Sequence, residues 1–216
     1  MHEKTIPNPT LNNKKLMKIF LHVGCGGNYK SSCLGFNNDN WKEIRLDINK
    51  NVNPDIVGTL TDMKSVETGS VDAVYSKHNI EHIFPHEVPI ALREFYRVLK
   101  EDGMVSISCP DLQSVCEAVL EGGLLEPIYN SPIGPISPID VLYGHRRSIA
   151  RGNEYMAHKG GFTYSTLYKA FKEVGFQSMA GGRRGYNLYL VAFKQRKPDE
   201  EIKKIVSQLI PNAKFT

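Results

Sequence analysis

The sequence predicts an α/β fold, a doubly wound parallel sheet with a nucleotide-type site at the carboxyl ends of its strands. Two observations predict it. The first is Lys18 to Gly27, KIFLHVGCGG. Ile19, Phe20, Leu21 and Val23 form a short apolar run that stops at Gly24-Cys25-Gly26-Gly27. A buried strand ending in glycines lets the backbone turn tightly and lets a ligand approach with no Cβ in the way. The second lies about 20 residues on. Glu43-Ile44-Arg45-Leu46-Asp47 alternates as a strand and ends in a carboxylate. Asp47 can accept two hydrogen bonds side by side, which suits a ribose diol.

The composition sets the frame. The chain has 216 residues, of which 41% are hydrophobic and 23% charged, enough for one domain with a sizeable core. A net charge of +4 without a basic block gives no sign of a nucleic-acid partner. No run of 18 apolar residues is present, so no membrane span is expected. Four cysteines without a CxxC pair predict a reduced, cytoplasmic protein.

The glycine run narrows the nucleotide. It reads G-x-G-G, followed by Asn28, Tyr29, Lys30 and two serines. The third glycine of a dinucleotide fingerprint is missing, and no Gly-Lys-Ser/Thr phosphate loop follows. The stretch LHVGCGG with Asp47 instead resembles the first motif of class I S-adenosylmethionine-dependent methyltransferases. The resemblance continues in Gly69 to Ser76, in Glu81-His82, in LREFYRVLKEDG and in GFTYSTLYKAFKEVGF, and so covers roughly residues 18–195. It implies a Rossmann-like, seven-stranded, mostly parallel sheet with a reversed last strand and helices on both faces. It also implies S-adenosyl-L-methionine as cofactor and a small-molecule acceptor. The chain looks most like methyltransferases of bacterial small-molecule and surface-polysaccharide metabolism.

Taken in order, residues 1–17 read as a polar N-terminal arm. Lys30 to Asn40 has no room for the long helix that usually follows the first strand. Asp55 to Gly58 is a brief third strand. The resemblance places an adenine-binding acid next, where this chain has Thr59, with Asp62 three residues later. Asp62 or the backbone beside Leu60 is left to meet the adenine. Ile48 and Leu60 either sandwich the ring or belong to the core. The fourth strand runs to Ser76, which puts Ser76 to His78 nearest the reacting centre. Gly24, Cys25, Gly26, Asp47, Ile48, Leu60, Asp62, Ser76 and His78 are therefore the expected cofactor residues.

Val88, Ala91, Leu92, Phe95, Val98 and Leu99 make one apolar stripe, predicting a helix over 87–100 with Gly103 as its cap. Met104 to Cys109 is the fifth strand. Residues 122–161 contain Pro127, Pro132, Pro135 and Pro138, then YGHRRSIARGNEYMAHKGGF, with no periodicity of their own. So long an irregular loop is usually functional. It is predicted to bind the acceptor through Tyr143, His145, Arg146, Asn153 and His158. The bland alternative is an arm at a homodimer contact. Tyr164 to Gly175 reads as a helix, 178–180 and 188–193 as the last strands, and 196–216 as a tail helix.

Methyl transfer from a sulfonium requires alignment and, for a hydroxyl or ammonium acceptor, a base. Histidine suits that task near neutral pH. His158 is the first choice, followed by His78 and His145. Arg146 and Arg147 offer planar forks for a carboxylate or phosphate. His78, His82 and His86 recur every four residues, but Pro85 interrupts a helix through them, so no metal site is predicted. Two other functions fit the same residues. One is a related transferase such as an aminopropyl transferase, and the other is a non-catalytic cofactor-binding module.

Overall fold

The computed structural model describes residues 17–210. The expected N-terminal arm, Met17 apart, lies outside them, as do residues 211–216. The strands are β1 (Lys18–Val23), β2 (Trp41–Asp47), β3 (Ile56–Val57), β4 (Val71–Lys77), β5 (Leu99–Pro110), β6 (Tyr129–Ser131), β7 (Gly134–Ile136), β8 (Ser178–Arg184) and β9 (Asn187–Phe193). The helices are α1 (Val88–Val98), α2 (Leu112–Gly122), α3 (Pro138–Tyr143), α4 (Arg146–Ile149), α5 (Tyr164–Val174) and α6 (Asp199–Leu209).

Seven strands form one sheet in the order β3-β2-β1-β4-β5-β9-β8. β1 to β5 pair in parallel, and β9 runs antiparallel to both β5 and β8. The chain leaves β1 for β2 on one side and returns to β4 on the other. That reversal of strand order beyond β1 is where a doubly wound sheet opens a ligand crevice.

Alternation along β1 divides the core. Leu21 and Val23 face α1 and α5, meeting Leu92, Phe95, Leu167 and Phe171 in one cluster. Phe20 faces the other way, towards Cys33, Phe36 and α6. The connection from β1 to β2 holds only a 3₁₀ turn, Lys30–Ser32, as its Asn- and Ser-rich sequence predicts. The sheet face left bare there is covered by Ile202, Val206 and Leu209 of α6. Burying each such side chain contributes about 1.5–3 kcal/mol. The tail helix therefore packs on its own sheet.

Three expectations need correction. Gly103 is not a helix cap. α1 runs straight into β5 at Leu99, and the β4–β5 register jumps from Val71↔Leu99 to Ala73↔Met104. Lys100 to Gly103 bulges out between those pairs. A Cβ on Gly103 would lie 2.9 Å from the Lys100 carbonyl oxygen, so the bulge needs glycine. Residues 122–161 also form elements of their own. β6 and β7 make a hairpin, and Ile136 and Val141 pack with Val115 of α2. The third correction is α2 itself, for which the sequence reading has no element. Leu112, Val115, Cys116 and Val119 recur at helical spacing, but only Val115 is fully buried and Leu120 is 88% exposed, so the stripe is short and shallow. Asp111 caps it by accepting from the Gln113 N–H at 3.2 Å.

Candidate active site

The glycine loop and Asp47 form one hydrogen-bonded unit. Gly24 and Gly26 adopt φ of 68° and 50°, which is costly for any residue with a Cβ. The Gly24 and Cys25 N–H groups donate to the Leu46 carbonyl, which draws the loop over the end of β2. The Gly26 N–H donates to Asp47 Oδ2 at 2.7 Å, and the Asn49 N–H donates to Oδ1 at 2.8 Å. Each oxygen keeps a further lone pair for a ligand hydroxyl. Around Gly26 and Gly27 the space a Cβ would occupy is open to 4 Å.

Arg45 braces this loop from beneath, a role its place in an alternating strand does not reveal. It is buried, and its guanidinium donates to the carbonyls of Gly26 (2.7 Å), Asn28 (3.2 Å), Val52 (3.2 Å) and Asn53 (2.7 Å). Tyr29 stacks on it at 4.2 Å. Cys25 is buried within the loop, and burial pushes its thiol up to about 11. It is no nucleophile near neutral pH.

Of the expected adenine residues, Ile48 is half-exposed directly after Asp47, and Leu60 is buried in the main core. Thr59 Oγ1 accepts from the Asp62 N–H at 3.1 Å and closes a tight turn there. The Asp62 carboxylate turns outward to Lys64 at 3.0 Å.

At and just beyond the end of β4 lies a set of buried polar atoms that lack hydrogen bonds. Ser76 Oγ, Asn79 Nδ2 and both Glu81 carboxylate oxygens are buried and make no hydrogen bond. Such groups are rare, and each calls for a ligand, a water or an ion. Asn79 lies directly over the glycine loop, since a Cβ on Gly24 would fall 2.2 Å from its amide. His78 holds φ of 50° and places Nδ1 3.4 Å from Glu81 Oε1. Burial opposes ionisation of Glu81, yet the surrounding imidazoles, His78 foremost, outweigh it and lower its pKa.

The predicted acceptor residues divide between two places. His158 joins Glu81. Its ring packs edge-on to His82 at 4.8 Å, and its Nδ1 lies 2.7 Å from the Val141 carbonyl. That carbonyl can only accept, so Nδ1 carries the proton and Nε2 keeps the lone pair. Burial lowers the His158 pKa, with Glu81 opposing. His145 and Arg146, with Arg147, instead line a cavity of about 420 Å³ against Leu125, Pro127 and Asp140. The Arg146 fork is already engaged, with Nε 2.8 Å and Nη2 3.3 Å from the two Asp140 oxygens. His145 Nδ1 meets Ser148 Oγ at 2.7 Å. Tyr143 and Asn153 are exposed. His86 is exposed as well and stacks on Phe84, away from His82. The sequence offers Glu81 and His82 only as a Glu-His pair and within the histidine series broken at Pro85, and it gives no signal for Asn79.

Residues 21–107 match the model of the methyltransferase domain family. That span contains the glycine loop, Asp47 and the whole β4 terminus. Over that span the chain carries a methyltransferase domain. Solved structures share its fold at low identity. A Listeria monocytogenes protein described as an S-adenosylmethionine-dependent methyltransferase is 16% identical with a TM-score of 0.55, over 84% of this chain and 91% of that one. An Archaeoglobus fulgidus methyltransferase is 15% identical with a TM-score of 0.53, over 82% and 86% of the two chains. The 1,6-didemethyltoxoflavin-N1-methyltransferase of Burkholderia thailandensis is 14% identical with a TM-score of 0.52, over 84% and 72%. No curated protein matches the sequence significantly. Among the described residues no helix is long and apolar enough to cross a membrane. S-adenosyl-L-methionine is the cofactor, and the residues present fit it. Two positive-φ glycines, open space at Gly26 and Gly27, and a carboxylate with spare lone pairs lie together at the ends of β1 and β2.

Proposed function

We propose that this methyltransferase acts on a small polar acceptor, at oxygen or nitrogen, held between the end of β4 and the 122–161 insertion. The observation that carries the reading is the group of buried, unpartnered polar atoms at Ser76, Asn79 and Glu81, beside the glycine loop. Their partners are expected to come from the bound molecules.

When bound, S-adenosylmethionine supplies a methyl group on a positively charged sulfur, so no acid is needed for the leaving group. The protein's tasks are positioning and proton removal. Gly24, Cys25 and Gly26 give a backbone cradle, Asp47 takes the ribose hydroxyls, and Ile48 and Leu60 flank the adenine with the Thr59–Asp62 turn at its edge. Ser76 and His78 face the reacting end. Proton removal falls to an imidazole beside Glu81, with His158 first and His78 second. His145, Arg146, Tyr143 and Asn153 shape the acceptor's approach from the insertion. The modest charge gives no support to a nucleic-acid acceptor. The four free thiols fit a cytoplasmic enzyme. A homodimer remains the second role for the insertion.

The test is product S-adenosylhomocysteine, measured with a panel of hydroxylated and aminated small molecules. His158→Ala and His78→Ala should each lower turnover at least about tenfold, 1.4 kcal/mol of transition-state stabilisation. S-adenosylhomocysteine affinity should stay within about twofold, roughly 0.4 kcal/mol. Full turnover in both variants would overturn the assignment.

A further inference from the structure

We propose that Glu81, His82 and His158 form a binding site for one divalent transition-metal ion of the zinc type. One ligand atom from each residue lies within 4.8 Å of the other two. Tetrahedral zinc at 2.0–2.2 Å sets its ligand atoms roughly 3.3–3.6 Å apart. The widest separation here therefore needs to close by little more than about 1.3 Å, which side-chain rotation supplies.

Three features make this a built site. The Glu81 carboxylate is 1% exposed, and neither oxygen has a hydrogen-bond partner. His78 Nδ1 approaches Oε1 at 3.4 Å while Oε2 is left without a neighbour of that kind, and burying an ionised carboxylate so incompletely paired is costly unless a cation meets it. Each imidazole is fixed through its other nitrogen. His82 Nδ1 lies 3.1 Å from the Ala157 carbonyl, and His158 Nδ1 lies 2.7 Å from the Val141 carbonyl. That arrangement sets the tautomer, aims the ring and leaves Nε2 as the ligand lone pair, as in most metal-bound histidines. Finally, the two segments that carry the ligands are tied together. The Glu81 carbonyl accepts from the Lys159 and Gly160 N–H groups at 2.8 and 3.1 Å. Gly160 also runs close to the 80s segment, since a Cβ there would sit 3.2 Å from the Ile83 carbonyl oxygen.

The other cluster of similar composition is His22, Cys33 and Glu43. There the groups satisfy one another. His22 Nδ1 meets Glu43 Oε1 at 2.7 Å, and Glu43 Oε2 accepts from the Lys30 N–H at 2.8 Å. It has no orphaned atom and needs no ion.

Two imidazoles and one carboxylate form the ligand set that keeps a further position open for water or substrate. His82 and His158 are both partly exposed, which leaves that position open to a molecule arriving from solvent. The acceptor class that fits is one presenting a hydroxyl or carboxylate oxygen. With His158 on the ion, proton removal passes to His78. Metal binding does not depend on the acceptor, while this choice of acceptor rests on the methyl-transfer reading.

The experiment uses the untagged full-length chain, treated with chelator, dialysed and titrated with zinc chloride by calorimetry. A parallel sample takes cobalt(II) for its visible absorption. The expected result is one equivalent of zinc and a tetrahedral cobalt spectrum with no thiolate charge-transfer band. His82→Gln and His158→Gln should each weaken zinc binding by at least about a hundredfold, since losing even a hydrogen-bonding partner of a ligand costs 10–100-fold. Glu81→Gln should do the same if its circular dichroism is native. His86→Gln should change nothing. No zinc uptake by folded protein, uptake indifferent to His158→Gln, or a thiolate band lost in Cys33→Ser would each overturn the site. S-adenosylhomocysteine titrated into the same sample separates the two claims. Zinc without nucleoside binding would refute the methyl-transfer reading alone, and the reverse would refute the metal site alone.

Discussion

Asp47→Asn removes one oxygen and adds an amide while preserving shape. In the native protein both carboxylate oxygens are used, Oδ2 by the Gly26 N–H at 2.7 Å and Oδ1 by the Asn49 N–H at 2.8 Å. Asparagine can accept only one of these, and its NH₂ must oppose the other N–H. A hydrogen bond to a charged acceptor is worth about 1.5–3 kcal/mol, and a buried donor left unpaired costs a similar amount. The expected loss is therefore about 1.5–3 kcal/mol in urea unfolding at pH 7. For a chain of this length that is about 3–12 °C in Tm. The glycine loop loses its tie to β2, and the acceptor pair proposed for the ribose is halved. S-adenosylhomocysteine affinity, measured by calorimetry below the unfolding transition, should fall at least about tenfold, or 1.4 kcal/mol. A variant that is destabilised yet binds with native affinity would refute Asp47 as a cofactor residue. Native stability together with native affinity would refute the linked-loop argument altogether.

Two further predictions follow from buried groups. Burial pushes the Cys25 thiol up to about 11, the Cys33 thiol up to about 12 and Cys109 well above its ordinary range, while Cys116 is exposed. A disulfide reagent at pH 8 should titrate Cys116 first and the other three only after denaturant is added, and prompt reaction of more than one thiol would contradict this. Burial would raise the Asp140 carboxyl, but hydrogen bonds from Arg146 and Ser137 override it and hold it well below the usual carboxylate range. A depressed folded-state pKa contributes stability in full above the unfolded value near 3.9, lost as pH falls below it. The stability gap between wild type and Asp140→Asn should therefore be level from pH 7 to 5 and shrink below about pH 4. A gap that grows on acidification would reverse the sign of the argument.

The architecture was legible because local signals agreed with the sheet. The apolar run of β1, the glycines after it and the carboxylate closing β2 each serve the same crevice. The stripe on α1 likewise reports directly on burial against the sheet. What escaped the sequence was whatever depended on a distant partner. Arg45 reads as one member of an alternating strand, and only the fold reveals four carbonyls around its guanidinium. The chemistry of His158 is plain in the sequence, yet its neighbours Glu81 and His82 lie more than seventy residues upstream. The four-residue spacing of His78, His82 and His86 describes one continuous segment and carries no sign of a ligand arriving from the insertion. Arg146 reads as a free fork in the sequence, while Asp140, six residues before it, engages both of its sides.

The central claim is that one crevice, from the glycine loop to the end of β4, binds the methyl donor and faces the acceptor. A crystal structure of the full chain with S-adenosylhomocysteine tests it most directly. The account predicts the ribose hydroxyls on Asp47, the adenine beside Ile48 and Leu60, and the sulfur facing Ser76 to Asn79 on the side of His158. A nucleoside bound elsewhere, or a sulfur turned away from the Glu81 group, would contradict it.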